Sequence, residues 1–166
     1  MLIIFGGLPG VGKSTLALRL ASRIGALYLR IDTIEQAIVA NDMALSVGEK
    51  GYLVAYAVAE DNLRLGHTVV ADSVNPLQIT RSAWRNVAQR VGMKFLEIEV
   101  LCSDQTEHRL RIETRSGSIP VTWQEVMTRE FDPWIGEHIR IETSGQGIEQ
   151  SLEALQRQML AASQRP

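Results

Sequence analysis

A stretch near the start of the chain fits the pattern G-x-x-x-x-G-K-[ST], and it constrains the fold more than any other feature. An apolar run over residues 2–5 precedes it, and residues 16–21 after it have helical spacing. The stretch therefore lies between a buried strand and a helix N-terminus, which is the context that a phosphate-binding loop requires. Its residues are Gly7, Leu8, Pro9, Gly10, Val11, Gly12, Lys13, Ser14 and Thr15.

The chemistry of this stretch suits the phosphates of a nucleotide. Glycines let the backbone curl so that its N–H groups point inward, and the helix N-terminus adds a partial positive charge. Lys13 supplies a point charge for the outer phosphates, and the Ser14 hydroxyl is placed to bind Mg²⁺. The alternative is a glycine-rich turn without a ligand. Because motif, strand and helix are all present, the sequence predicts binding of a nucleoside triphosphate.

The rest of the chain alternates between strand-like and helix-like segments. This alternation predicts an α/β domain with three layers, in which helical crossovers connect parallel strands. The predicted strands cover residues 2–5, 26–31, 68–72, 94–101 and 138–142. The predicted helices cover residues 14–23, 34–39, 49–65, 77–91, 107–113 (capped by Ser103 or Asp104), 123–131 and 148–162, with Thr33 as the cap of the second.

Two acidic residues follow predicted strands. Asp32 comes after the second strand, and Asp72 ends the apolar run of the third. Parallel strands place their carboxyl ends at one edge of a sheet, so both residues are expected near the phosphate-binding loop. A carboxylate after an apolar strand is typical of a Mg²⁺ site, which makes Asp72 a metal candidate together with Ser14. The alternatives for Asp72 are a turn acid and a substrate contact.

Composition narrows the choice of partners and compartment. A chain of 166 residues has the length of one domain, and a net charge of −2 does not favour nucleic acid or a membrane surface. The single cysteine, Cys102, cannot form an internal disulfide and fits a reducing compartment, where we expect it to be a buried small side chain. No signal peptide and no apolar run of about 20 residues is evident, so the expected location is the cytoplasm.

Taken together, these motifs resemble a known group of enzymes. The phosphate-binding loop, Asp32, the run Asp72-Ser73-Val74-Asn75 and the arginines between residues 109 and 115 carry the resemblance. The chain resembles the small P-loop kinases of the nucleotide and shikimate kinase type, which have an AAA-type ATP-binding domain. Within that group it is most similar to predicted kinases related to chloramphenicol phosphotransferase, gluconate kinase and polynucleotide kinase.

The resemblance has implications for the fold. It implies the P-loop NTPase fold in a single kinase domain over residues 1–166, with a five-stranded parallel sheet in the order 2-3-1-4-5 and helices on both faces. It also implies a lid over about residues 109–122. The part of this lid at residues 116–121 is a few residues shorter than in similar proteins.

The resemblance also suggests roles on the acceptor side. Asp32 lies where similar kinases hold the carboxylate that orients or deprotonates the acceptor hydroxyl; a helix cap is the alternative. Glu35, one turn later, would bind substrate, or it lies on a solvated helix face. Asn75 would shape the acceptor pocket, or it forms a turn before Pro76.

Arginines of the lid are the candidates on the donor side. Arg111 and Arg115 lie four residues apart on one helix face, where one would clamp the phosphoryl group and the other would stack on adenine. Arg109 is a further candidate. The alternative is an ordinary surface pair between Glu107 and Arg111. In similar kinases the loop after the fifth strand, residues 143–146, wraps the adenine, which makes Ser144 and Gly145 nucleotide-binding candidates.

Other residues are weaker candidates. Arg81 and Arg85 would bind an anionic substrate or lie on a solvated face, and Tyr52 and Tyr56 are candidates for the acceptor pocket. Trp84 is expected in the core. The three histidines have no metal-ligand spacing with the cysteine, so a zinc site is not predicted.

The predicted function is that of an ATP-dependent kinase that uses Mg²⁺ and transfers the γ-phosphoryl group to a hydroxyl of a small molecule. The residues predicted to take part in catalysis are Lys13, Asp32, Arg111 and Arg115. Two alternatives stay open: a kinase for the 5′-hydroxyl of a polynucleotide, and a nucleotide-binding switch or ATPase. The sequence does not indicate the acceptor or the oligomeric state.

Overall fold

Five strands form one parallel sheet in the part of the chain that the structure, a computed structural model, describes: residues 1–41, 49–115 and 121–163. The order is β2-β3-β1-β4-β5, as predicted. The strands are β1 (Leu2–Gly6), β2 (Leu27–Arg30), β3 (Val69–Asp72), β4 (Phe95–Leu101) and β5 (Ile139–Glu142). The helices are α1 (Lys13–Ile24), α2 (Ile31–Asn41), α3 (Lys50–Arg64), α4 (Gln78–Arg90), α5 (Gln105–Glu113), α6 (Trp123–Thr128) and α7 (Ile148–Ser163).

The central strand β1 is apolar because both of its faces are covered. Successive side chains of a strand point to opposite faces, and Ile3 and Phe5 pack in a core shared with α1 and α7. Leu2 and Ile4 pack in a second core, shared with α3 and α4, that includes the fully buried Trp84. The predicted three-layer arrangement and the core position of Trp84 are confirmed. None of the described helices combines the length and the apolarity needed to span a membrane.

Two helix boundaries differ from the predicted ones by a full three residues, whereas the other boundaries agree more closely. Helix α2 begins at Ile31, immediately after β2, so Asp32 lies in its first turn and Thr33 is not its cap. Helix α6 ends at Thr128 instead of residue 131, and Arg129 is extended. The chain leaves the helix there because Asp132 binds the segment at the start of α4. Its N–H donates to the carbonyl of Pro76, and its carboxylate accepts from the Gln78 N–H. The centre of the predicted lid, residues 116–120, lies outside the described residues.

Arg81 is a buried connector between two segments, and both sequence interpretations of it were wrong. Its side chain is 1% exposed and donates to four main-chain carbonyls over 2.7–3.0 Å. Two aromatic rings flank the guanidinium. Because one planar cation satisfies several buried carbonyls, Arg81 ties the loop before α4 to the segment after α6. The carbonyls belong to Asn75, Pro76, Asp132 and Pro133, and the rings to Phe131 and Trp134.

Replacing Arg81 by methionine is expected to lower the free energy of unfolding by about 3 kcal/mol, because it leaves buried carbonyls without donors. Urea denaturation at pH 7 measures the change. Arg64→Met is the matched control, since Arg64 lies on the exposed side of α3. Equal effects of the two substitutions would contradict the connecting role of Arg81.

Candidate functional site

The phosphate-binding loop has a backbone conformation that requires glycine. Gly10 has φ +83°, and a Cβ there would lie 2.6 Å from Cδ1 of Ile112 on α5. Gly12 has φ +91° and stands directly before α1. At Gly7 the main-chain N–H donates to the carbonyl of Val74, which anchors the loop beside the end of β3. The loop therefore presents its main chain at the N-terminus of α1, where peptide dipoles favour an anion.

Lys13 is the cation at the centre of this site. It starts α1 and is 8% exposed. Burial lowers the pKa of its ammonium group, while the nearby carboxylates of Asp72 and Asp32 act in the opposite direction. A buried cation flanked by two carboxylates at a helix N-terminus is suited to bind a further anion.

Asp72 lies beneath the loop at the end of β3, with 1% of its surface exposed. Its Oδ2 accepts a hydrogen bond of 2.7 Å from the Tyr28 hydroxyl and lies 3.9 Å from Nε of Arg30. Its Oδ1 is buried and has no hydrogen-bond partner among the described residues. A buried carboxylate oxygen without a partner is costly, so this atom suits a ligand or water that the protein itself does not supply.

Asp32 is held at the edge of the site by its neighbour on β2. Its Oδ2 accepts a 2.9 Å hydrogen bond from Arg30, and its side chain is 32% exposed. Because Arg30 also approaches Asp72, one guanidinium lies between the two acids. The predicted closeness of Asp32 and Asp72 to the loop agrees with the structure.

Two cavities open at this edge of the sheet, and they meet. The first, about 600 Å³, extends over the loop and α1 towards Thr143 and Gln146. The second, about 240 Å³, extends between α2, α3 and the start of α4. Three side chains line both cavities: Lys13, Asp32 and Arg115. The junction thus combines a cation at a phosphate-binding loop, a carboxylate and a second cation.

The three arginine candidates on α5 and just beyond it differ in their surroundings. Arg111 lines the first cavity and donates to the hydroxyl and carbonyl of Thr143 at 2.8 and 2.9 Å. It also pairs with Glu107, as the surface-pair alternative predicted. Arg115 lines both cavities. Arg109 lines neither of these cavities and pairs with Glu113 at 2.7 Å on the exposed face.

In the loop after β5, the predicted residues Ser144 and Gly145 do not line the first cavity. The N–H and hydroxyl of Ser144 donate to Glu142, and the Gly145 N–H donates to Glu107. Their neighbours Thr143 and Gln146 line the cavity instead. Ser144 and Gly145 therefore use their hydrogen bonds to hold the loop in place, whereas Thr143 and Gln146 contribute the part of the loop that lines the cavity.

Glu142 organises this loop, and its contribution to stability is expected to depend on pH. Burial alone would raise the pKa of its carboxyl, but hydrogen bonds from Ser144 and Ser103 lower it to about 2. The folded-state pKa therefore lies below that of the unfolded chain, so the stabilisation is complete above pH 4.5 and is lost as pH falls towards 2.

Glu142→Gln is therefore expected to lower Tm by about 2–4 °C at pH 7, and the difference from wild type is expected to shrink below pH 4.5 and to vanish as pH falls to about 2. Thermal melts across this pH range measure it. Glu153→Gln, on the exposed face of α7, is the control. A constant difference at every pH would contradict the assignment.

The remaining two predicted substrate residues lie in different environments. Glu35 lines the second cavity, and burial, followed by the nearby Asp32, raises the pKa of its carboxyl. Asn75 is fully buried and does not line that cavity; its Nδ2 donates to the carbonyl of Phe5 at 2.7 Å. Its φ of +47° lies in the left-handed region, and its buried Oδ1 has no hydrogen-bond partner among the described residues, so the side-chain turn before Pro76 that was the alternative is not formed.

Sequence reasoning missed several residues that line the cavities: Arg30 in the first, and Ser73 and Arg129 in the second. Ser73 stands directly after Asp72 at a strand end, which is a usable signal. Nothing local distinguishes Arg129 from other surface arginines. Among the weaker candidates, Tyr52 lines the second cavity, while Arg85 pairs with the buried Glu97 and lines neither of the two. Cys102 is buried, as predicted.

An AAA domain family model matches residues 2–133, which is most of the chain and includes the loop and both strand-end acids. The chain belongs to the AAA domain family. No curated protein shows a match.

Several solved structures share this fold. A protein from Chloroflexus aurantiacus j-10-fl, inferred to be a kinase, has a TM-score of 0.73 at 19% identity over 96% of both chains. The APS kinase of Mycobacterium tuberculosis, in complex with AMPPNP and APS, has a TM-score of 0.68 at 23% identity over 95% of this chain and 96% of that chain. A gluconokinase from Sinorhizobium meliloti 1021 has a TM-score of 0.68 at 16% identity, over 98% of this chain and 97% of that chain. At these identities the similarity establishes the fold alone, and it confirms the predicted P-loop NTPase fold.

Proposed function

We propose that this chain is an ATP-dependent kinase that uses Mg²⁺ and transfers the γ-phosphoryl group to a hydroxyl of a small molecule, with residues 1–166 acting as one kinase domain. The observation that carries the proposal is the junction of the two cavities at Lys13, Asp32 and Arg115. A nucleotide-binding switch needs the first cavity alone. Phosphoryl transfer needs a donor site and an acceptor site that share a wall.

The first cavity is assigned to ATP. The loop N–H groups and Lys13 would hold the phosphates, and Thr143, Gln146 and Arg111 would line the nucleoside side. AMPPNP, an ATP analogue, is bound in the APS kinase of the same fold, which supports this assignment. The lid predicted over residues 109–122 stays a prediction.

Ser14 and Asp72 are assigned to Mg²⁺. The partnerless, buried Oδ1 of Asp72 fits a role in metal binding, directly or through water. No group of three His, Cys, Asp or Glu side chains suited to a metal occurs in the described ranges. Mg²⁺ fits such a sparse site, because it is commonly bound by one or two protein groups and substrate phosphates. When bound, the ion would neutralise phosphate charge.

The second cavity is assigned to the acceptor, with Asp32 at the reacting hydroxyl. Arg30 fixes the orientation of the Asp32 carboxylate, which can then align the hydroxyl and accept its proton. Arg115, at the junction, would neutralise charge that develops on the transferred group. Kinase and gluconokinase activities of proteins with this fold support the same reaction class.

The test is ADP release from Mg·ATP, with and without fractions of cellular metabolites, by wild type and by Asp32→Asn. Stimulation by a small-molecule fraction in wild type alone is the expected result. Stimulation by an oligonucleotide with a 5′-hydroxyl instead would favour the polynucleotide alternative. Slow release that is indifferent to every addition and to the substitution would overturn the proposal in favour of a switch or ATPase.

A further inference from the structure

The second cavity carries two opposite charges that form no ion pair within the part of the chain that the structure describes. Glu35 projects from α2 on one wall, and Arg129 follows α6 on another. Neither side chain forms an ion pair or hydrogen bond with another residue in the described ranges. Their charges interact without direct contact. Burial and then Asp32 raise the pKa of the Glu35 carboxyl, and Arg129 acts to lower it. The two charges therefore face a shared space without closing on each other.

Two hydroxyls form part of the wall of the same cavity. Ser73 is 2% exposed and lines the second cavity together with Tyr52, whose hydroxyl interacts with the Ser73 side chain. A hydroxyl can both donate and accept, so this pair retains capacity for a further hydrogen bond. A polar atom of a ligand can use that capacity. The wall formed after β3 therefore suits a polar molecule.

The charges that line the cavity can be assigned one by one. Lys13 and Arg115 lie at the junction, where the phosphates of the donor would meet them. Asp32 is compensated by its 2.9 Å contact with Arg30. Glu35 and Arg129 remain, and their charges sum to zero. An acceptor with a net charge would leave one of these two groups repelled or unpaired, which is costly in a partly desolvated cavity.

On these grounds we infer that the acceptor is a small zwitterion with a hydroxyl group, such as a hydroxylated amino acid; the inference rests on the proposed kinase function. Its ammonium would bind Glu35, its carboxylate would bind Arg129, and its hydroxyl would lie at Asp32. A neutral polyol would leave both charges unmatched. The volume of about 240 Å³ is below the usual range of about 300–1,000 Å³ for small-molecule pockets, which favours a compact acceptor.

The reaction balances without a further reactant. The hydroxyl oxygen of the acceptor forms a bond to the γ-phosphorus, and the bond from that phosphorus to the bridging oxygen of ADP breaks. The hydroxyl proton passes to the Asp32 carboxylate, and ADP leaves with the electron pair of the broken bond.

Binding titrations in the presence of Mg·AMPPNP test the inference, with probes that differ in charge: L-homoserine and L-threonine, glycerol, glycerate, and ethanolamine. The amino acids are expected to bind best. Glu35→Gln and Arg129→Gln are each expected to weaken their binding by about 10- to 100-fold, which is the range for a lost hydrogen bond to a charged group. Glu130→Gln and Arg19→Gln, at exposed positions outside both cavities, are the controls, with changes within about twofold.

The outcomes that would contradict the zwitterion inference differ from those that would contradict the kinase proposal. Preferred binding and phosphorylation of glycerol, glycerate or ethanolamine, unaffected by the two substitutions, would overturn the zwitterion inference and leave the kinase intact. No binding of either amino acid would also overturn it. Binding of the amino acids that requires Glu35 and Arg129, without ADP formation, would support the ligand class and overturn the kinase proposal.

Discussion

Replacing Asp32 by asparagine is expected to lower kcat by about 10²- to 10⁴-fold, the usual contribution of a positioned general base. Asparagine keeps an oxygen that can accept the hydrogen bond from Arg30, so the local geometry is largely retained. It cannot take the proton of the acceptor hydroxyl. Steady-state ADP release measures kcat, and titration with Mg·AMPPNP is expected to show an affinity within about threefold of wild type, because the change does not touch the loop.

Asp61→Asn is the matched control for this prediction. Asp61 lies on the exposed face of α3 and lines neither cavity, so the same chemical change there is expected to leave turnover unaltered. If Asp32→Asn also turned over at the wild-type rate, Asp32 would be a structural acid of the first turn of α2, and the acceptor would have to be activated elsewhere. A parallel loss of AMPPNP affinity would instead assign Asp32 to the nucleotide.

The fold followed from the sequence where local patterns and the resemblance agree. Apolar runs such as residues 2–5 and 68–72 are covered on both faces, so they indicate strands of a parallel sheet directly. The order of the strands came from the resemblance, since apolar runs alone do not specify neighbours. The end of α6 could not be predicted, because it depends on contacts of Asp132 with Pro76 and Gln78, more than fifty residues away in sequence.

The sequence predicted which segments meet at the site. It predicted less well which of their side chains line the cavities. Residues at the carboxyl ends of parallel strands must lie at one edge, which places Asp32 and Asp72 correctly. Loops carry no such periodicity. Ser144 therefore could not be distinguished from Thr143, although only Thr143 lines the first cavity. Asn75 illustrates the same limit, because its side chain turns to β1 instead of the second cavity.

The burial of Arg81 could not be predicted, for a related physical reason. On a helical wheel, a solvated arginine and a buried one that satisfies carbonyls are indistinguishable. What buries Arg81 is a set of main-chain acceptors from two loops, together with the rings of Phe131 and Trp134. Those loops are positioned only once the sheet and α4 have formed.

Arg115→Ala is expected to lower kcat by about 10³-fold or more, whereas Arg111→Ala is expected to raise the KM for ATP with a smaller change in kcat. The difference follows from their contacts. Arg111 is engaged by Thr143 and Glu107 at the nucleoside side of the first cavity. Arg115 lines both cavities, and its guanidinium forms no hydrogen bond with another described residue, so it is available to the transferred group.

Initial rates at varied ATP, with acceptor saturating, separate the two effects, and Arg109→Ala on α5 is the control. A substitution that acts only in the transition state lowers kcat and kcat/KM equally, while loss of ground-state binding changes KM alone. Arg115→Lys adds a second comparison, since lysine restores the charge without the planar fork and is expected to recover only part of the rate. If Arg111→Ala lowered kcat more than Arg115→Ala, the two roles would have to be exchanged. Arg111 would then have to release Thr143 during turnover, because its present contacts hold it away from the junction with the second cavity.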